Sequence, residues 1–152
     1  MFGNIFGNIF FAYAADKLEP KISKIKAYLA TGQILLASLC FFVVLNPKVS
    51  YEFLVTFWAI QWFFCTAYFP LVAAMVTLSV PKGATGGVIG LFEAVRGLGS
   101  IFMLILYQII DATNPTLNES VMLWLLPGCM IIAGILIFTS GYSYEAIMNL
   151  KK

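Results

Sequence analysis

The stretch Phe53 to Val80, FLVTFWAIQWFFCTAYFPLVAAMVTLSV, contains no Asp, Glu, Lys or Arg. About 20 helical residues cross the roughly 30 Å hydrocarbon core of a bilayer, so this run is long enough to span it with tilt or overhang. Three more apolar runs share its character: Ala27 to Leu45, Gly83 to Ile110 and Val121 to Tyr142. None of them alternates apolar and polar residues with period two, and an unpaired strand edge is not tolerated in lipid. The fold class that follows is all-α, a polytopic bundle of transmembrane helices in one membrane domain over residues 1–152.

Composition agrees. The chain has 152 residues, of which 61% are hydrophobic and only 11% charged, against roughly 25% charged in a soluble domain. Met1 to Ala15 is also apolar but reaches only some 22 Å as a helix, which makes it a short or partial span. Ala12-Tyr13-Ala14 has the form of a signal-peptide cleavage site, yet no Lys or Arg precedes the apolar part. The tandem Gly3-Asn4-Ile5-Phe6 and Gly7-Asn8-Ile9-Phe10 places like residues one helical turn apart and reads as a packing face.

The basic residues set an orientation. Lys17, Lys21, Lys24, Lys26, Lys82, Lys151 and Lys152 fall on one side of the alternating spans, against Lys48 on the other, while Arg96 lies inside a span. Basic loops are retained in the cytoplasm. The loop 16–26, the Pro81-Lys82 turn and the tail 143–152 are therefore expected there. Asn118-Glu119-Ser120 is a glycosylation sequon on the opposite side, close to the start of the last span. Tyr144-Glu145-Ala146-Ile147 has the form of a tyrosine-based sorting signal in the tail.

Ionisable residues inside lipid are costly and mark the sites worth testing. Glu93 and Arg96, three residues apart on one helical face, are mutual partners. They either pin their helix to a neighbour or serve as a gate or coupling site for an ion or proton. Gly83, Gly86, Gly87, Gly90 and Gly97 add small residues to that helix and imply close backbone contact with another one. In the run 53–80, Trp58, Gln61, Cys65, Tyr68, Met75 and Ser79 recur along one side, as a solute cavity or an ordinary helix interface requires. Pro70 removes a donor and obstructs the carbonyl of Thr66, so a bend is expected there. Pro127 does the same to Leu123 in the last span, which carries no ionisable side chain at bilayer depth and is expected at the periphery.

Cys40, Cys65 and Cys129 all lie in apolar runs, and histidine is absent. No metal site, cofactor, disulfide framework or nucleic-acid partner is expected, and neither a Ser/Lys dyad nor paired aspartates point to an enzyme. The expected partners are the lipid bilayer and a small-molecule solute.

Two segments resemble the C-terminal part of a major facilitator superfamily transporter. Ala12-Tyr13-Ala14-Ala15-Asp16-Lys17 is similar to the family's Gly-x-x-x-Asp-Arg/Lys signature in its weaker second copy. It departs at Ala12, where a glycine is usual, and at Glu19-Pro20. Val80 to Leu91 followed by Arg96-Gly97-Leu98-Gly99 is similar to the start of the family's eleventh helix, with its proline, basic residue and glycine run. The resemblance makes Met1 to Ala15 the end of the eighth helix and the four long runs the ninth to twelfth. It implies that the run 53–80 lines a solute cavity, that the run 83–110 packs where two halves meet, and that Asp16 steadies a gate at the cytoplasmic rim. It also implies that the remaining, N-terminal part of the machine, or other membrane subunits, must join this chain before transport occurs. The alternative is a structural or accessory membrane subunit.

Overall fold

The structure, a computed structural model, describes residues 2–46, 48–113 and 115–150, and consists of α1 (Phe2–Leu18), α2 (Ile25–Val44), α3 (Tyr51–Ser79), a 3-10 turn (Lys82–Ala84), α4 (Thr85–Thr113) and α5 (Pro115–Leu150). Among the described residues there is no strand. α2 to α5 each contain a stretch long and apolar enough to cross a membrane. The tail expected after Tyr142 is a continuation of α5 to Leu150. Several expectations lie outside the described residues. These are the packing role of Gly3 and Asn4, the side chains of the sequon 118–120, and the charges of Lys82, Lys151 and Lys152.

α2 is the centre of the bundle because its small residues fall on two adjoining faces. Lys26 and Ala30 turn towards α1 and α3, where Ala15, Ala30 and Leu71 form a buried cluster flanked by Phe11, Tyr68 and Val72. Ala27, Thr31, Ile34 and Ser38 turn towards α5. There Gly141 comes so near that a Cβ on it would lie 2.6 Å from the Cβ of Ala27. Hydroxyls complete the seam: Thr31 Oγ1 donates to the carbonyl of Gly134 at 3.2 Å, and Ser38 Oγ to that of Pro127 at 3.1 Å. Lipid tails are as apolar as leucine, so close approach and interhelical hydrogen bonds, rather than hydrophobicity, hold such helices together. α5 thus borders the bundle as expected, but in close contact, with Pro127 and Tyr144 buried and Ile132, Ile135 and Leu136 outward.

α1 packs on α3 by the same means. A Cβ on Gly7 would meet the Phe63 carbonyl oxygen at 2.5 Å, and the Phe11 ring sits 5.7 Å from that of Phe63 and 6.0 Å from that of Phe64. The Gly7 half of the tandem repeat therefore makes the contact its spacing predicts. α3 and α5 both remain continuous helices through Pro70 and Pro127.

The turn into α4 is built by Pro81, whose extended backbone ends α3 and whose carbonyl accepts from Ala84 N at 2.9 Å and Thr85 Oγ1 at 3.3 Å. α4 itself buries no residue. Leu91, Val95, Leu98, Ile101 and Phe102 stand exposed along it. A Cβ added to Gly83, Gly86, Gly87, Gly90 or Gly97 would meet nothing within 4 Å. The close backbone contact expected of this glycine run is not made with any described element of the chain.

Candidate functional site

α3 and α4 meet through aromatic rings, and the meeting point carries the ion pair. Phe69, next to Pro70, stacks on Phe92 of α4 with ring centroids 5.8 Å apart. One turn further along α4, the Arg96 guanidinium lies 4.9 Å from the Phe69 ring centre, a cation-π placement. Its Nε donates to Glu93 Oε2 at 2.9 Å, the partnership that three-residue spacing predicts. The pair is open on its outer side, with Arg96 58% and Glu93 39% exposed in this chain. The paired carboxylate and guanidinium are together neutral, which lowers the cost of holding both groups at bilayer depth.

The stripe on α3 does not share one environment. Tyr68 flanks the buried cluster of Ala15, Ala30 and Leu71, and Cys65, one turn earlier, is half-buried. Gln61 is buried in the bundle, whereas Trp58 is half-exposed and makes an edge contact with Trp62 at 6.4 Å. Met75 and Ser79 lie at the other end, where they line a cavity of about 320 Å³ with Val72, Val76, Val80, Ser140, Ser143, Tyr144 and Ile147. The structure thus divides the stripe between the buried bundle, an exposed edge at Trp58 and this cavity.

A second polar assembly ties the α1–α2 loop to the end of α5. Lys26 is buried, with its Nζ 2.5 Å from Glu19 Oε2 and 3.6 Å from Asp16 Oδ1. Tyr144 Oη donates to Glu19 Oε1 at 2.7 Å, while Glu145 accepts from Ser23 Oγ at 2.6 Å and Lys24 Nζ at 2.7 Å. Lys24 also lies over the Tyr142 ring at 3.7 Å. Burial pushes the Glu19 carboxyl up, but the hydrogen bonds from Lys26 and Tyr144 and the Lys26 charge outweigh it, so it titrates below the ordinary carboxylate range. The hydrogen bond to Glu145 holds the Lys24 ammonium above its ordinary value against partial desolvation. Asp16 stays 74% exposed and is touched by Lys26.

This assembly corrects the reading of Tyr144-Glu145-Ala146-Ile147 as a sorting signal. A linear signal must offer its tyrosine to a reader, and Tyr144 is 2% exposed, helical and bonded to Glu19.

Sequence reasoning did not single out Phe69 and Phe92, whose only signal is their position beside Pro70 and Glu93. Gln33 was also missed. It is 1% exposed, and neither of its amide atoms has a hydrogen-bond partner among the described residues. A lone amide in the apolar run 27–45 was visible, but its burial was not. Among the described residues no three or more His, Cys, Asp or Glu side chains converge on a point where a metal could bind.

The family model described as Major Facilitator Superfamily matches the chain over residues 1–146. No curated protein and no solved structure shows a match. Long apolar helices, an intramembrane ion pair and a match covering nearly every residue lead to one statement: this multi-pass membrane protein belongs to the Major Facilitator Superfamily and is a transporter of that type.

Proposed function

We propose that the chain serves the transport of a small solute, as the C-terminal part of a two-half secondary transporter. In this reading α3 supplies one wall of the solute path through Trp58, Gln61, Cys65 and Tyr68. Glu93 and Arg96 act at a gate or coupling site beside it, and Asp16 sits at the cytoplasmic rim. The observation that carries the reading is α4, which buries no residue yet holds the ion pair, an aromatic bridge to α3 and an open row of glycines. A helix with charged residues at bilayer depth belongs against protein or a water-filled cavity. Further membrane helices therefore cover it, through Gly83, Gly86, Gly87, Gly90 and Gly97. The Lys-rich ends, including the C-terminus, face the cytoplasm.

The test is solute uptake into proteoliposomes that hold the chain in its complete assembly. Glu93→Gln and Gln61→Leu should each lower uptake at least about tenfold, the size of a lost charge-assisted or buried hydrogen bond, while the protein remains folded. Absence of uptake by the unaltered assembly would sink the transport role and leave a structural subunit, and uptake that ignores both substitutions would remove Glu93 and Gln61 from the solute path.

A further inference from the structure

We propose that Ser23 is a phosphorylation site, and that a phosphate there unfastens the end of α5 from the α1–α2 loop. The proposal rests on the cytoplasmic placement of the Lys-rich ends, the side on which protein kinases and ATP are found. Ser23 lies half-buried in the non-helical segment between α1 and α2, where its Oγ donates to Glu145 Oε1 at 2.6 Å. The other oxygen of that carboxylate accepts from Lys24 Nζ at 2.7 Å. One hydroxyl and one ammonium of the loop thus hold the carboxylate of α5.

Three features set this hydroxyl apart from others at the same end of the bundle. Ser79, Thr85 and Ser140 sit in helices, and each donates to a carbonyl three or four residues earlier. Ser23 lies outside the helices and makes no backbone hydrogen bond among the described residues, so drawing it into a kinase cleft breaks the tie to Glu145 and no backbone bond of its own. Lys21, Lys24 and Lys26 flank it, a charge pattern of the kind by which kinases select substrates.

The consequence is electrostatic. Phosphoryl transfer breaks the bond from the bridging oxygen to the γ-phosphorus of ATP and forms one from Ser23 Oγ to that phosphorus. The hydroxyl proton passes to the catalytic carboxylate of the kinase, and ADP leaves. The donor that held Glu145 is then gone, and a negative charge of about 1.5 to 2 stands against the carboxylate. Lys24 cannot neutralise both groups, and the phosphate is the stronger partner on two counts. It carries more charge, and it precedes by one residue the N-cap of α2, Lys24, where no side chain caps the helix. Glu145, one-third exposed, turns to water. The tie from Tyr144 to Glu19 is untouched. What comes loose is therefore the end of α5 from Glu145 onward, and not the whole helix.

The test uses the full chain in phosphatidylcholine nanodiscs, which leave both faces of the bilayer open, so its result does not depend on orientation. Phosphoserine is installed at position 23 by codon reassignment, and amide exchange is followed by mass spectrometry. Exchange across 145–150 should quicken at least about threefold, with that across 134–141 of the same helix unchanged. Ser23→Ala, which removes the donor and adds no charge, should quicken it less. Phosphorus NMR should show the second ionisation of the phosphate below its ordinary value of about 6, and Lys24→Gln should raise it again. The catalytic domain of a basophilic Ser/Thr kinase, with ATP, should modify Ser23, and Glu145→Ala should speed that step at least about threefold by freeing the hydroxyl.

Tail exchange that ignores the phosphate, or that responds equally to Ser23→Ala, would overturn the proposal. So would a phosphate that titrates at its ordinary value beside Lys24, or kinase labelling of Ser23 that is absent from both chains or no faster in Glu145→Ala. Placement is read separately, from Lys21→Cys in intact cells. Labelling of that thiol by an impermeant maleimide would overturn the cytoplasmic placement and the kinase's access with it, whatever the nanodiscs show.

Discussion

Replacing Gly141 by alanine tests how α2 and α5 are held together. The added Cβ would stand 2.6 Å from the Cβ of Ala27, whereas ordinary contact lies at 3.4–4 Å, so the two helices must part by roughly 1 Å. Ala27 cannot yield, because it is fully buried in a cluster with Met75 and Tyr144. Overpacking of this kind costs about 1–3 kcal/mol. An opposing term exists, since alanine is favoured over glycine in a helix by about 1 kcal/mol. Gly134→Ala isolates it: the nearest atom to that Cβ would be Leu35 Cδ2 at 3.6 Å, an ordinary contact on the same two helices. Gly141→Ala should therefore be less stable than Gly134→Ala by about 1–3 kcal/mol in reversible unfolding of the purified chain in micelles. Adding Ala27→Gly to Gly141→Ala restores the room and should recover most of that difference. The reasoning fails if the two single variants unfold alike, or if Ala27→Gly recovers nothing.

Three further outcomes follow from the same contacts. Gln33→Leu removes a buried amide with no partner among the described residues, so the chain should gain about 1 kcal/mol or more in the same unfolding assay, and a loss would show that the amide is bonded. Glu19 has a folded-state pKa depressed below 4.5, so the stability it contributes is present above that value and is lost as pH falls through the folded pKa. Unfolding midpoints measured from pH 6 downward should fall more steeply for the parent than for Glu19→Gln, and equal slopes would refute the assignment. Gly90→Leu meets open space in this chain, so micellar stability should be unchanged within about 0.5 kcal/mol, while capture by the rest of the transporter, read by co-purification, should be lost. Retained capture would remove the glycine row from the interface.

Membrane residence, the number of long apolar helices and the ends of α2, α3 and α4 to within a few residues were legible because they depend on local, additive quantities, whereas α5 runs past both ends of the expected stretch 121–142. Residues 53–80 lack charge whatever they touch, and Pro81 ends a helix by its own ring. The Glu93–Arg96 bond was legible for the same reason, since three-residue spacing on one helix places both groups on one face.

Contacts between helices were not. Hydrophobicity marks a buried face in water, but in a bilayer a lipid-facing and a bundle-facing position are equally apolar, and the pattern is silent on which is which. Hence Gly86 and Gly90 looked like packing residues and stand open, whereas Gly7 and Gly141 support the closest approaches. Gln61 and Gln33 are both buried in the bundle, although only the first lay on a recognisable stripe. Tyr144 has the sequence context of a linear motif, but its hydroxyl donates to Glu19, 125 residues away along the chain. Composition decided that this chain lives in lipid. Which of its small and polar residues touch each other was decided only by how the helices come together, because close approach is a property of pairs of surfaces and no single segment carries it.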